Sequence, residues 1–318
     1  MVYNIGVREV LRLKSDGCKL CPRGCGADRV TGQRGRCGMD ADIVVARAAP
    51  HMWEEPCISG RSGAGAVFFA GCPLGCVFCQ NRRLSREGFG ALVSEQRLGE
   101  IFLELQDTGV HNIDLVTPTQ YSEALARVLT CVRPRLKIPV IYNCGGYESV
   151  ETLRMLDGLI DIYLPDFKYA SAELAGRYSG APDYPERAYD AICEMYRQCG
   201  PVGFDDDGMM MRGVMVRHLV LPGCRHDSEK VLRLLAEAVP VGNIRLSLMR
   251  QYTPDFVDRD RYPELGRRLT TFEYRSVVDV ADRLGFDGYC QQSGSDSAGF
   301  TPIFDLTGVY PGNRSKQY

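Results

Sequence analysis

The sequence predicts an α/β fold: a partial (β/α)6 barrel behind a cysteine-rich N-terminal extension. Three observations predict it. Short apolar β-type runs alternate with amphipathic segments of helix length, the pattern of βαβ units that build a parallel sheet. Six such runs are present, fewer than the eight strands of a closed α/β barrel. The first run leads directly into a loop with three closely spaced cysteines, Cys72, Cys76 and Cys79.

The elements follow in order. The apolar run 66–70 precedes the cysteine loop, and the runs 112–116, 138–142, 159–164, 213–221 and 244–248 supply the remaining buried strands. Between them the segment 95–108 places Leu98, Ile101, Phe102 and Leu105 at i, i+3, i+4 and i+7, one face of a helix. The segments 122–132, 149–156, 184–198, 227–238 and 272–284 repeat that pattern. Right-handed crossovers are expected between parallel strands. The expected divisions are an extension over 1–61, the barrel over 62–290 and a C-terminal tail, 291–318, packed on the barrel. Asp205, Asp206 and Asp207 read as an exposed turn before the fifth strand.

Composition narrows the function. In 318 residues, 45% are hydrophobic, enough for a large core, and the net charge of −2 counts against a nucleic-acid or membrane-surface binder. The first residues, Met1 to Arg8, have no signal-peptide apolar core, and no run approaches eighteen apolar residues, so a cytoplasmic protein is expected. A reducing compartment keeps the fourteen cysteines free of disulfides and available to metal. Cys131, Cys193, Cys199, Cys224 and Cys290 sit in apolar or helical stretches and read as small buried hydrophobes.

Two cysteine sets carry chemistry. Cys72, Cys76 and Cys79 are spaced C-x3-C-x2-C, and three thiolates can ligate three irons of a four-iron cubane while leaving the fourth open to a small molecule. Cys18, Cys21, Cys25 and Cys37 form a C-x2-C-x3-C-x11-C knuckle, enough ligands for a closed zinc site or a second iron–sulfur cluster. Between the sets, His51 reads as structural, whereas Cys57 could be a fifth ligand, a hydrogen donor to a radical, or packing.

The C-x3-C-x2-C spacing on a strand-to-helix loop, with Phe78 before the last cysteine, resembles the signature of the radical S-adenosylmethionine (SAM) superfamily. The Cys-x-Leu-Cys-Pro-Arg-x-Cys-Gly stretch, the run from Trp53 to Gly60, Cys79-Gln80-Asn81 and Leu164-Pro165-Asp166 narrow the likeness. They are similar to the pyruvate formate-lyase activating enzyme-like radical SAM proteins, relatives of the glycyl-radical activases. The likeness runs from about residue 18 to about residue 309. It implies a [4Fe-4S] cluster on Cys72, Cys76 and Cys79, with SAM on the open iron. Reduction would then split SAM to a 5′-deoxyadenosyl radical that takes hydrogen from a protein, peptide or small-molecule substrate. A reductase or a flavodoxin- or ferredoxin-type donor would supply the electron.

In α/β barrels the reactive groups stand at the C-terminal strand ends. The second strand ends at Thr117, where the Gly-Gly-Glu stretch of many radical SAM enzymes is missing; a backbone carbonyl or the threonine hydroxyl is left to hold the SAM amino group. At the third, Asn143 offers a donor and an acceptor ahead of two glycines that let a ligand approach, or that merely shape a turn. At the fourth, Asp166 and Lys168 resemble the activase Asp-x-Lys pair beside SAM, or pair with each other at the rim. On the fifth, strand alternation lets only one of Arg217 and His218 face inward; Arg217 is favoured, its fork suited to the SAM carboxylate. After the sixth, Met249-Arg250-Gln251-Tyr252 is a candidate adenine or substrate contact. From a different class, an iron–sulfur electron-transfer protein that does not cleave SAM stays open.

Overall fold

The computed structural model describes residues 17–292, Gly294 and residues 302–312. The reading of Met1 to Arg8, and part of the expected C-terminal tail, lie outside the described residues. Among the described residues ten strands form one sheet: β1 (Ile43–His51), β2 (Ala64–Phe69), β3 (Ala91–Val93), β4 (Ile113–Val116), β5 (Val140–Cys144), β6 (Ile162–Pro165), β7 (Gly203–Phe204), β8 (Met210–Leu219), β9 (Arg245–Met249) and β10 (Gly288–Cys290). Their order is β10-β9-β8-β6-β5-β4-β2-β1-β3, with β7 as a short hairpin partner of β8. From β2 through β4, β5, β6, β8 and β9 to β10 all pairings are parallel. β1 turns back antiparallel to β2, and β3 antiparallel to β1.

The six expected strands are therefore present, and β10 adds a parallel neighbour. β1 falls in the expected extension but pairs with β2 from Val45 to His51, so the sheet begins earlier than the expected boundary. The fourth strand starts later than expected because residues 156–159 close a turn, Leu159 N–H donating to Leu156 O.

The helices are α1 (Pro56–Ser59), α2 (Arg82–Ser85), α3 (Glu95–Asp107), α4 (Ser122–Val132), α5 (Val150–Met155), α6 (Ala172–Ser179), α7 (Tyr184–Cys199), α8 (Arg225–Ala238) and α9 (Thr271–Leu284). Their starts follow capping chemistry. Ser94, Ser149 and Ser171 each accept an N–H of the first turn, and Thr270 with Glu273 forms a reciprocal capping box on α9. The buried face of α3 is Leu98, Ile101, Phe102 and Leu105, as the spacing predicts.

The barrel interior is filled from below. The β1–β2 connection carries α1, whose Cys57 and Ile58 pack with Ala64, Ile141, Ile162, Leu164, Met210 and Met215. This plug leaves the upper interior as a cavity and brings Glu54 and Glu55 inward beside Arg217. Phe304, from the C-terminal segment, packs edge-on against Phe68 with ring centroids 5.4 Å apart. Asp205 to Asp207 form an exposed turn between β7 and β8.

Candidate functional site

The cysteine loop opens on a cavity of about 260 Å³ at the C-terminal ends of the parallel strands. Cys72, Cys76 and Cys79 all line it. Gly71 (φ 84°) makes the turn out of β2, and a Cβ there would stand 2.3 Å from Met39 Cγ and 2.9 Å from Cys37 O. Ser179 Oγ donates to Cys76 Sγ at 3.0 Å, and Ser85 Oγ to Cys79 Sγ at 3.3 Å. Burial pushes the Cys72 thiol up to about 12, the neighbouring Cys76 and Cys79 adding to it, and burial raises Cys79 in the same way. Among the described residues, no three His, Cys, Asp or Glu side chains gather closely enough to hold a single metal ion. Three thiols on one cavity wall are the donor type of a cluster that takes one thiolate per iron.

The loop is braced from outside by polar contacts. Arg23 Nε donates to Pro73 O at 2.9 Å, its Nη2 to Ser179 O at 2.8 Å, and its Nη1 to Gly180 O. Gln120 Nε2 donates to Ala70 O at 2.8 Å and Gly71 O at 3.2 Å. The backbone N–H of Cys72 donates to Cys37 O at 3.3 Å, which docks the N-terminal knuckle on the loop. Cys18, Cys21, Cys25 and Cys37 line one small cleft with Arg29 and Arg36. The four sulfurs share one cleft and are the donor type of both zinc and an iron–sulfur cluster, but no three of them gather closely enough here to close on a single ion.

Thr117, Asn143, Asp166, Lys168 and Arg217 line the same cavity as the three cysteines. Thr117 sits at φ 59°, a left-handed conformation costly for a β-branched residue; such strain persists where surroundings over-determine it and clusters at functional sites. Its carbonyl already accepts from Gln120 Nε2 at 2.8 Å, so the hydroxyl is the freer group. Asn143 Nδ2 donates to Asp114 Oδ2 at 3.3 Å. The glycines after Asn143 serve the fold: a Cβ on Gly146 would meet Asp166 O at 2.0 Å. Lys168 is ion-paired with Asp166, and although burial opposes it, that carboxylate and Cys76 hold the ammonium above its usual range. The pairing of these two with each other is thus realised, beside the cysteines rather than away from them.

Arg217 faces inward, as alternation allows, while His218 turns outward and is buried with Nδ1 at 2.6 Å from Phe167 O. The fork expected to suit the SAM carboxylate is engaged by the chain's own side chains in this structure. Arg217 Nε and Nη2 donate to Glu55 at 2.9 and 2.6 Å, and Nη2 also to Glu54. Two carboxylates already occupy the fork. Burial works against Glu55 ionising, but Arg217 outweighs it and holds the carboxyl below its usual value.

Met249, Gln251 and Tyr252 line the cavity; Arg250 instead bonds Thr271 Oγ1 at 2.9 Å over the Tyr274 ring. Cys57 is packing among apolar side chains. The reading of five cysteines as buried hydrophobes needs correction: Cys131 and Cys290 are exposed, and Cys193, Cys199 and Cys224 only half-buried. Cys131 belongs to the outer side of α4, whose inner side is Leu125, Val128, Leu129 and Val132.

Sequence reasoning missed Arg23, Gln120, Asp114, Glu148 and the partners of Arg217. Glu148 is buried, accepting from Thr119 Oγ1 at 2.9 Å and Tyr142 OH at 3.1 Å. Burial pushes its carboxyl up to about 7, above those hydroxyls' opposing effect. A folded-state value above the unfolded one means stability that is full below the unfolded carboxyl value and is lost as pH rises through about 7. Urea midpoints of the wild type should therefore fall between pH 5 and 8, and Glu148→Gln should flatten that decline. An unaltered slope in the variant would assign the pH dependence to other groups.

No family model matches the chain. An uncharacterised protein of Methanocaldococcus jannaschii is 26% identical over 292 residues, covering 88% of this chain and 78% of the relative. Among solved structures, Streptococcus suis SuiB bound to S-adenosylmethionine aligns with TM-score 0.48 and 12% identity, over 72% of this chain. The present chain spans about half of the SuiB chain, 50%. Methylornithine synthase (PylB) aligns with TM-score 0.46 and 13% identity over 78% of this chain and 74% of its own. A variant of spore photoproduct lyase gives 0.47 and 12% over 74% and 78%. Likenesses this remote do not bear on activity. Among the described residues, no helix is long and apolar enough to cross a membrane.

Proposed function

We propose that this protein is a radical SAM enzyme, an oxidoreductase acting on a substrate C–H bond. The observation that carries the reading is the shared cavity: the C-x3-C-x2-C thiols open onto the same space as Thr117, Asn143, Asp166 and Lys168. Cys72, Cys76 and Cys79 would hold a [4Fe-4S] cluster, which with SAM bound supplies the one-electron reductive cleavage of the sulfonium. The chain's own part is positional. Ser85 and Ser179 donate hydroxyls to the sulfurs, Thr117 offers its hydroxyl at a strained strand end, and the Asp166–Lys168 pair sets charge beside the cysteines. The plug of Cys57 and Ile58 closes the barrel below and keeps water from entering by that route.

The substrate is a protein, peptide or small molecule, and activation of a glycyl-radical enzyme is one form of this reading. A flavodoxin- or ferredoxin-type donor fits the need for a low-potential electron. The second set, Cys18, Cys21, Cys25 and Cys37, would hold zinc or a second cluster, packed against the first loop through Cys37 and Cys72.

The test is anaerobic reconstitution, with iron, sulfide and zinc counted per chain, followed by dithionite and SAM. About four irons with one zinc, or about eight irons, each with 5′-deoxyadenosine released, supports the reading and separates the two forms of the N-terminal site. A cluster-loaded protein that releases no deoxyadenosine leaves the electron-transfer alternative.

A further inference from the structure

The floor of the cavity carries more negative than positive groups, and one of them has an unpartnered oxygen. Asp166 and Lys168 neutralise each other at the rim. Deeper, Glu54 and Glu55 face the single guanidinium of Arg217, whose side chain is 13% exposed against 8% for each glutamate. The second oxygen of Glu54 stands 4.0 Å from His51 Nε2, too long for a hydrogen bond, and burial lowers the pKa of His51 against the pull of Glu54. Below them lies Asp114, fully buried, on the inward face of β4 that it shares with the cavity-lining Val116. Asp114 Oδ2 accepts from Asn143, but Oδ1 has no hydrogen-bond partner. A fully buried carboxyl oxygen without a hydrogen-bond partner is costly. Even with Asp114 protonated, two carboxylates meet one cation.

We propose that this floor, Glu54, Glu55 and Asp114 around Arg217, receives a protonated amine or guanidinium carried by the substrate. The arrangement disfavours an anionic substrate group, because Arg217, the cation expected to bind one, is already spanned by two carboxylates. A nitrogen cation entering the cavity can meet Glu54 and Glu55, which line it, without disturbing the arginine, and Asp114 lies buried beneath them with one oxygen unpartnered. The inference rests on the radical SAM reading only in placing the substrate in this cavity.

Trp53, the only tryptophan, lines the same cavity and reports on it without turnover. The cluster-reconstituted protein, without reductant, is titrated with n-butylammonium, with methylguanidinium and with butyrate of matched size while Trp53 emission is followed. The expected result is a saturable response to the two cations at least about tenfold tighter than to butyrate, a difference of about 1.4 kcal/mol. Glu54→Gln should weaken the cations by a similar factor and leave butyrate unchanged. Equal affinity for the anion, or no saturable response to either cation, overturns the proposal, and this comparison needs no variant. SAM itself carries a sulfonium and an ammonium, so the titration is repeated with SAM saturating. Unchanged cation affinity supports a substrate group; competition assigns the floor to SAM and overturns the substrate assignment. Because no SAM cleavage is read, a negative result here is distinguishable from failure to form deoxyadenosine.

Discussion

Replacing Cys72, Cys76 or Cys79 by alanine is expected to reduce 5′-deoxyadenosine formation to the no-enzyme background while the barrel stays folded. Chemically, a cluster bound by three thiolates and open at one iron loses a ligand that its surroundings cannot replace. The groups nearest two of the sulfurs are the Ser85 and Ser179 hydroxyls, which donate to sulfur and are poor iron ligands when protonated. Structurally, the loop is held by its backbone: Arg23 and Gln120 grip the carbonyls of Ala70, Gly71 and Pro73, and Cys37 O accepts the Cys72 amide. Removing one sulfur leaves those bonds in place, so a loss of about 1 kcal/mol is expected, a few degrees in melting temperature at most. Cys131→Ala and Cys290→Ala, both at exposed positions, are the matched controls and should leave iron content and product formation intact. Wild-type product formation by any one of the three loop variants would remove the cluster from this loop.

The parallel strands were legible because strands buried on both faces read as unbroken apolar runs, as at Val140 to Tyr142 and Val214 to Val216. β10 was not: Gly288-Tyr289-Cys290 has no apolar run, and β9 recruits it by backbone pairing. β1 was hidden by Ala48, Ala49 and Pro50, residues of weak strand preference that nonetheless pair with β2, and by an irregularity at Ala46, between Val45 and Arg47. The cysteine spacing and the strand ends gave the wall of the cavity, since those residues are close in sequence or sit at a position the fold defines. The floor was different. Arg217 and Glu54 are 163 positions apart, and nothing in the spacing reports that the β1–β2 connection folds inward to join them. Asp114 did leave a sign, a lone carboxylate between Ile113 and Leu115 in an otherwise apolar strand. The strain at Thr117 left none, because left-handed residues are read from glycine or asparagine and this one is neither.

Arg217→Leu is expected to destabilise the protein by about 3–5 kcal/mol at neutral pH, far more than the ~1 kcal/mol or less of an exposed ion pair. The difference lies in burial. Glu54 and Glu55 are each only 8% exposed, so removing their shared cation strands two charges that water solvates poorly. Asp114 close by adds a third carboxyl, already raised well above its usual value by burial and then by Glu54. Two further measurements separate this cause from simple loss of packing. The stability deficit of Arg217→Leu should shrink as pH falls from 7 to 5, because protonating the stranded glutamates removes the penalty. Adding Glu54→Gln and Glu55→Gln to Arg217→Leu should recover most of the lost urea midpoint, since the triple variant buries no unpaired charge. A packing defect would respond to neither. If Arg217→Leu instead unfolds at the wild-type midpoint, water must reach the two glutamates. The floor of the cavity would then exert no selective pull on a cation, and the amine-binding proposal would lose its physical premise along with the ion pair.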